Sequence, residues 1–398
     1  MTASVLFAWE LGDGLGHVSR LLRIAERLRS AGLACRFVVR NLELAGRAVQ
    51  SAGFEVLQAP IARVEAIRGP DGTQPVSTGD ILGAIGFGSV DRLSPIVAGW
   101  HALVELTRPD LVVTDYAPTM NLALFGGPVP WIPIGDGFTL PPCETERFLP
   151  FRRARPAYDE GHLLSVVAQI QAGRGRPTPD RLPQLFEGSA RFVITLPELD
   201  PWRRARATPA IGPIDPPPRP VESTPTEAFF AYLSAGFPYT ERVLEGLLAS
   251  GRKGSVFLRD STAAQREGWR QRGLPVWEAP QNMRSMAERA AVIIHHGGVG
   301  TAEQTLGLGR PQMLVPRHFE QFANADSLGA LGVAVGLRGG GNFTVDDVGR
   351  AVACVVDDAG YRERAASRAR ELADRPLRAL DRVTAECIAW ASRERGAS

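Results

Sequence analysis

Lysine is almost missing from this chain: of 45 basic residues among 398, Lys253 is the only lysine. Arginine suits bidentate anion recognition, but so uniform a preference reads as codon bias and is given little functional weight. Cysteine is scarce as well. Cys35, Cys143, Cys354 and Cys387 have no C-x-x-C spacing, so neither a zinc site nor a disulfide framework is expected, and a reducing compartment fits. A formal net charge of only +2 gives no electrostatic footing for a nucleic-acid partner. No apolar run approaches the roughly 18 residues of a membrane span. The opening "MTASVLFAWELG" lacks a basic segment followed by a long apolar core, so the expectation is a cytoplasmic protein without signal peptide or transmembrane segment.

What the chain has is alternation. "SVLFAW", "ACRFVVR" and "FEVLQAP" are short β-branched or aromatic runs separated by amphipathic stretches such as "HVSRLLRIAERLRSAG", the pattern of a parallel sheet covered by helices. "PDLVVTDY" and "VPWIPIGD" read as further buried strands. A proline-rich stretch, "RATPAIGPIDPPPRPVESTP", then interrupts the series, and a second alternating series follows it. A chain of this length also exceeds the size at which one core keeps growing. The expected organisation is therefore α/β, with a first domain over 1–205, a linker over 206–225, a second domain over 226–375 and a closing helix over 376–398. Both domains are expected to be Rossmann-like, doubly wound parallel sheets facing each other across a cleft, with ligands at the carboxyl ends of the strands.

Two strand-to-helix turns carry chemistry. "VIIHHGGVGTAEQ", from Val292 to Gln304, puts two histidines at a strand end and three glycines before a helix. Helix N-termini expose N–H groups, and glycines let the backbone approach a phosphate closely. Taken alone, the same pattern also describes a glycine-rich turn with one buried histidine. "WELGDGLGHVSR" follows the first strand and opens the first helix. A dinucleotide fingerprint would require glycine where His17 stands, and an acidic residue after the second strand where Arg40 and Asn41 stand, so an oxidoreductase reading is weak.

"PQMLVPRHFEQFANAD", taken with "HHGGVGT", resembles the nucleotide-sugar signature of family 1 glycosyltransferases, whose bacterial members read "HHGGxGT…GxPQ…P…DQ…NA". "EAPQ" precedes it where that signature has "APQ". The resemblance implies a GT-B fold and an inverting, metal-independent transfer from a nucleoside diphosphate sugar to a hydroxylated acceptor, with no resident cofactor. It implies that His296, Gly298, Gly300 and Thr301 meet the diphosphate, with Ser234 and Gly236 beside them. Gln281 and Gln304 would lie at the ribose, the main chain at Ala279 near the base, and Glu320 and Gln321 at the hydroxyls of the transferred sugar. A carboxylate beside a carboxamide suits that task, because an epimer would leave one of them unpaired.

Glu278 stands where plant members place a base-stacking tryptophan, with Trp277 one residue earlier, and Gln304 stands where they have glutamate. UDP and dTDP therefore both remain open. The histidine of the first loop is the family's general base, which implies that role for His17, with Asp115 as the carboxylate that fixes its tautomer. The family continues "GHxxP" where this chain has "GHVSR", and Arg20 is expected to be solvated.

Acceptor choice belongs to the first domain's loops. The apolar stretch around Ile81 to Val90 is a candidate wall for an aromatic or lipid aglycone, and the glycines of "GDGLGH" resemble those of the lipid-linked peptidoglycan N-acetylglucosaminyltransferase. Small-molecule and lipid acceptors both stay open, the latter with peripheral membrane contact, and so does an idle sugar-nucleotide binding module. Contact of Arg147, Arg152, Arg153 and Arg155 with substrate is left undecided, as is the oligomeric state.

Overall fold

A computed structural model describes residues 2–12, 14–69, 72, 74–337 and 341–393. The chain divides into two compact units, Met1–Pro197 with Trp202–Asp215 and Arg378–Ser398, and Glu198–Pro201 with Pro216–Leu377.

In the first unit β1 (Ser4–Trp9), β2 (Ala34–Val39), β3 (Glu55–Gln58), β4 (Leu111–Asp115), β5 (Trp131–Gly135) and β6 (Phe192–Val193) form one sheet in the order β3-β2-β1-β4-β5-β6. All pairings are parallel. In the second, β7 (Glu227–Ser234), β8 (Gly254–Arg259), β9 (Val276–Trp277), β10 (Ala290–His295), β11 (Gln312–Leu314) and β12 (Ala334–Gly336) repeat that topology as β12-β11-β10-β7-β8-β9. Each sheet is doubly wound, with its switch point between the first and fourth strands of its unit.

The alternation in β1 explains why both faces need helices. Val5, Phe7 and Trp9 enter one buried cluster and Leu6 and Ala8 another, as side chains on alternate faces must. The helix Gly16–Ser30 covers the first of these with Val18, Leu21, Ile24, Ala25 and Leu28, an i, i+3, i+4 stripe. It ends where Gly32 turns left-handed at φ +87°. The helix Ala379–Ala391, expected as a closing element, returns to this face of the first unit and buries Ala379, Val383, Cys387 and Ala391 in the same cluster. The proline-rich stretch is tied down on both sides of the division after Asp215: Ile211 N–H donates to Val193, and Val221 N–H donates to Leu308.

Ile81 to Val90 does not form an exposed apolar wall. Leu82, Ile85 and Phe87 are core residues, held in a tight turn in which Gly86 adopts φ +118°. Among the described residues no single helix is long and apolar enough to cross a membrane.

Removing two methyls at Val383 opens a hole against the first helix. V383A is expected to cost about 2 kcal/mol, read as faster amide exchange in β1 and β4.

Candidate active site in two strand-end clusters

At the first switch point, β1 and β4 pair with Trp9 opposite Asp115, so the loop after β1 and the end of β4 emerge side by side. His17 lies in the first turn of the helix Gly16–Ser30, and its Nδ1 is 2.9 Å from Asp115 Oδ1. Its ring is stacked between Trp9 and Tyr116, at centroid distances of 5.6 and 6.0 Å. Asp115 is fully buried; His17 and Arg20 are each 13% exposed.

Arg20 is not solvated. Its Nε donates to Asp115 Oδ2 at 2.5 Å and its Nη2 to Oδ1 at 2.7 Å, a bidentate fork. Its Nη1 lies 3.5 Å from Asp136 Oδ2, just past the end of β5. Burial alone would raise the Asp115 carboxyl, but the charges of Arg20 and His17 and their hydrogen bonds outweigh it and hold it below the usual carboxylate range.

Gly12 closes the other side of the imidazole. It has φ +92°, and a Cβ there would stand 2.5 Å from His17 Nε2, so glycine is required for the turn and for the room. A cavity of about 350 Å³ opens beside it, lined by Trp9, Gly12, Gly14, Arg40, Leu42 and Leu44 among others. Asp13, in this loop, lies outside the described residues.

Glu10 carries a signal the sequence reading passed over: a carboxylate directly after a buried strand. It is buried, with Oε2 accepting from Thr119 N–H and Oε1 without a partner. Burial pushes its carboxyl up to about 7, against the opposing hydrogen bonds from Thr119 and Met120 and the charge of Arg40.

At the second switch point, both histidines of "HHGG" organise backbone. His295 Nε2 lies 2.8 Å from Gln312 Oε1, and its Nδ1 accepts from Gly297 N–H. His296 Nδ1 lies 2.8 Å from the Val315 carbonyl, and its Nε2 accepts from Ser234 N–H at 2.9 Å. Both ring nitrogens of His296, the residue expected at the diphosphate, are therefore engaged by backbone. The ring instead joins β7, β10 and the segment after β11, which aligns the turn. Burial drives both imidazoles down to about 4.

The turn itself is open. Gly297, at φ +92°, has no room for a Cβ, which would meet Leu314 at 2.8 Å; Gly298 and Gly300 would meet nothing within 4 Å. The helix Val299–Gly307 has no side-chain cap on its N-cap Gly298. Glu320 lies beside it, accepting from Val299 N–H at 3.3 Å, while Gln321 Oε1 accepts from Arg317 N–H. Asn324 Nδ2 braces the turn through the Gly297 carbonyl. Arg317 and Arg259, which the sequence reading did not single out, act electrostatically on His296 and are exposed. Thr301 and Gln304 lie in the helix after the turn, and Gln304 is exposed. Gln281 folds back on the Ala279 carbonyl. Glu278 pairs with Arg270, and Trp277 is half-buried under the Arg289 guanidinium, so neither stands as a free stacking platform. Arg152 is bound to the carbonyls of Gln74 and Pro75, while Arg147, Arg153 and Arg155 lie on the surface.

Residues 279–389 match the family model described as erythromycin biosynthesis protein CIII-like, C-terminal domain. That stretch is similar to an EryCIII-like C-terminal domain. Glycosyltransferase GtfC of Amycolatopsis orientalis is 40% identical over 58 residues, a stretch spanning 15% of this chain and only 14% of that relative. Among solved structures, the calicheamicin glycosyltransferase CalG4 superposes with a TM-score of 0.70 at 20% identity, over 99% of both chains. The glycosyltransferase VinC, in complex with dTDP, does so at 0.67 and 16%, over 98% of this chain and 99% of that one. SnogD from Streptomyces nogalater gives 0.62 and 19%, over 98% and 99%. The chain thus has the two-domain GT-B fold of these solved structures.

His295 is neutral in the fold and titrates near its ordinary 6.5 when unfolded, so stability it contributes above pH 6.5 is lost as pH falls toward 4. The loss is about 3 kcal/mol. Urea unfolding of wild type and H295Q should therefore show a stability gap that narrows by about that amount across this window.

Proposed function

We propose that this protein is an inverting glycosyltransferase that moves a sugar from a nucleoside diphosphate sugar to a hydroxyl of a small-molecule acceptor. The observation that carries this reading is the His17–Asp115 pair at one switch point. With Nδ1–H donated to Asp115, Nε2 keeps its lone pair on the side of Gly12, ready to accept the proton of an acceptor hydroxyl. As that oxygen bonds to the anomeric carbon, its proton passes to Nε2 and the bond from that carbon to the diphosphate oxygen breaks. Asp115, already ionised, stabilises the imidazolium.

The second unit carries a cluster of its own that suits the donor. A helix N-terminus opened by two glycines that face open space, with the field of Arg317 and Arg259, suits an anionic diphosphate and stabilises it as it leaves, once Glu320 gives up Val299 N–H. On this reading His296 contributes by holding Ser234 and the turn in place, and the reaction uses no metal. Glu320 and Gln321 are assigned to the hydroxyls of the transferred sugar, with Glu320 exchanging its bond to Val299 N–H for one to the ligand. VinC's dTDP makes dTDP-sugars the first donors to try, alongside UDP-sugars. The burial of Ile81 to Val90 favours a small-molecule acceptor over a lipid.

The reading is tested with H17A in a screen of UDP- and dTDP-sugars against hydroxylated acceptors. Diphosphate release should fall by at least about 10²- to 10⁴-fold, while the thermal shift produced by the donor is retained. Unchanged turnover would remove His17 from the mechanism, and donor binding without release in the wild type would make the chain a binding module. G12A should also abolish turnover, because the new methyl meets Nε2. G14A, at φ +77° but with nothing within 4 Å of its Cβ, shares the backbone strain and should lose far less.

A further inference from the structure

We propose that Arg20 is a positioning residue that lowers the proton affinity of His17 by sharing Asp115 with it. The inference rests on the assignment of His17 as base, but its physical content does not require turnover. Three atoms form a closed triangle: His17 Nδ1 to Asp115 Oδ1 at 2.9 Å, Arg20 Nη2 to the same oxygen at 2.7 Å, and Arg20 Nη2 to Nδ1 at 2.8 Å.

An isolated His–Asp pair stabilises the imidazolium, since a buried carboxylate gains from facing a cation. Here the carboxylate is already held on both oxygens by a guanidinium. Protonating the ring at Nε2 adds a second positive charge 2.8 Å from an Arg20 nitrogen, so that two cations share one carboxylate. Charge counting agrees. Arg20, Asp115 and Asp136 together carry −1, so the cluster totals −1 with a neutral ring and 0 with an imidazolium; without Arg20 those totals fall to −2 and −1. Arg20 therefore keeps the ring neutral, and so able to accept a proton, at lower pH than Asp115 alone would allow.

Among the described residues, the other ionisable groups near the ring do not provide a substitute. Tyr116 stacks on the ring, Arg40 donates to the Gly12 carbonyl beneath it, and Glu10 is directed to Thr119 N–H at the N-terminus of the helix Pro118–Leu124. Arg20 lies on the same helix as His17, one turn on, so that their spacing is set by the helix itself.

The experiment is a histidine side-chain ¹⁵N titration of the full-length protein, with the His17 signal assigned by its loss in H17Q. In R20A the His17 midpoint should rise by about one pH unit or more. R20K, which keeps the charge, should stay close to wild type. Because Asp115 is buried, R20A also loses stability; R20Q retains a hydrogen-bonding side chain without charge and should show the same upward shift in a folded protein. A midpoint unmoved or lowered in both R20A and R20Q overturns the proposal. In an active enzyme the acid limb of kcat/KM moves up in step with the ring. A chain without transferase activity shows the ring shift alone, which separates failure of the functional reading from failure of this one.

Discussion

Everything at the candidate site depends on the parallel pairing of two central strands in each sheet. Parallel register sets Trp9 opposite Asp115 in the first unit and Tyr232 opposite His295 in the second. Because the chain winds outward in opposite directions from each pair, no crossover covers the strand ends there, and that is where a loop side chain and a strand-end side chain can meet. His17 reaches Asp115 across one such gap, and His296 reaches Ser234 N–H across the other.

The two histidines are used in contrasting ways. His296 is a neutral strut: half-buried, with both nitrogens spent on backbone, it ties the glycine turn to two neighbouring segments. On His17 only Nδ1 is engaged by neighbouring side chains, so Nε2 is left toward Gly12. The difference lies in what each strand end offers. In the second unit the partners are backbone groups, which need a fixed tautomer. In the first they are a carboxylate and a guanidinium, which impose charge. Glu10, buried beside the same strand end with one oxygen unpaired, adds a carboxyl that is half-protonated near neutrality.

The glycines separate in the same way. Gly12 and Gly297 are required by their surroundings, since any side chain would strike His17 or Leu314. Gly298 and Gly300 are not required by packing, and bare backbone facing open space at a helix N-terminus is what an anionic ligand needs.

The sequence by itself determined the α/β alternation, the two-unit organisation, the strand-to-helix turns at His17 and His296 and the open N-terminus after "HHGG". These are local properties, carried by hydrophobic period, proline and glycine. Only the tertiary structure decided the role of Arg20, which looks like any exposed arginine of an amphipathic helix until β4 brings Asp115 under it. It likewise decided the return of Ala379–Ala391 to the first unit, the burial of Ile81 to Val90 and the engagement of both His296 nitrogens. Each of these depends on partners distant in sequence, 95 residues for Arg20 and Asp115 and 19 for His296 and Val315, and the pattern of one segment holds no record of which distant surface will cover it.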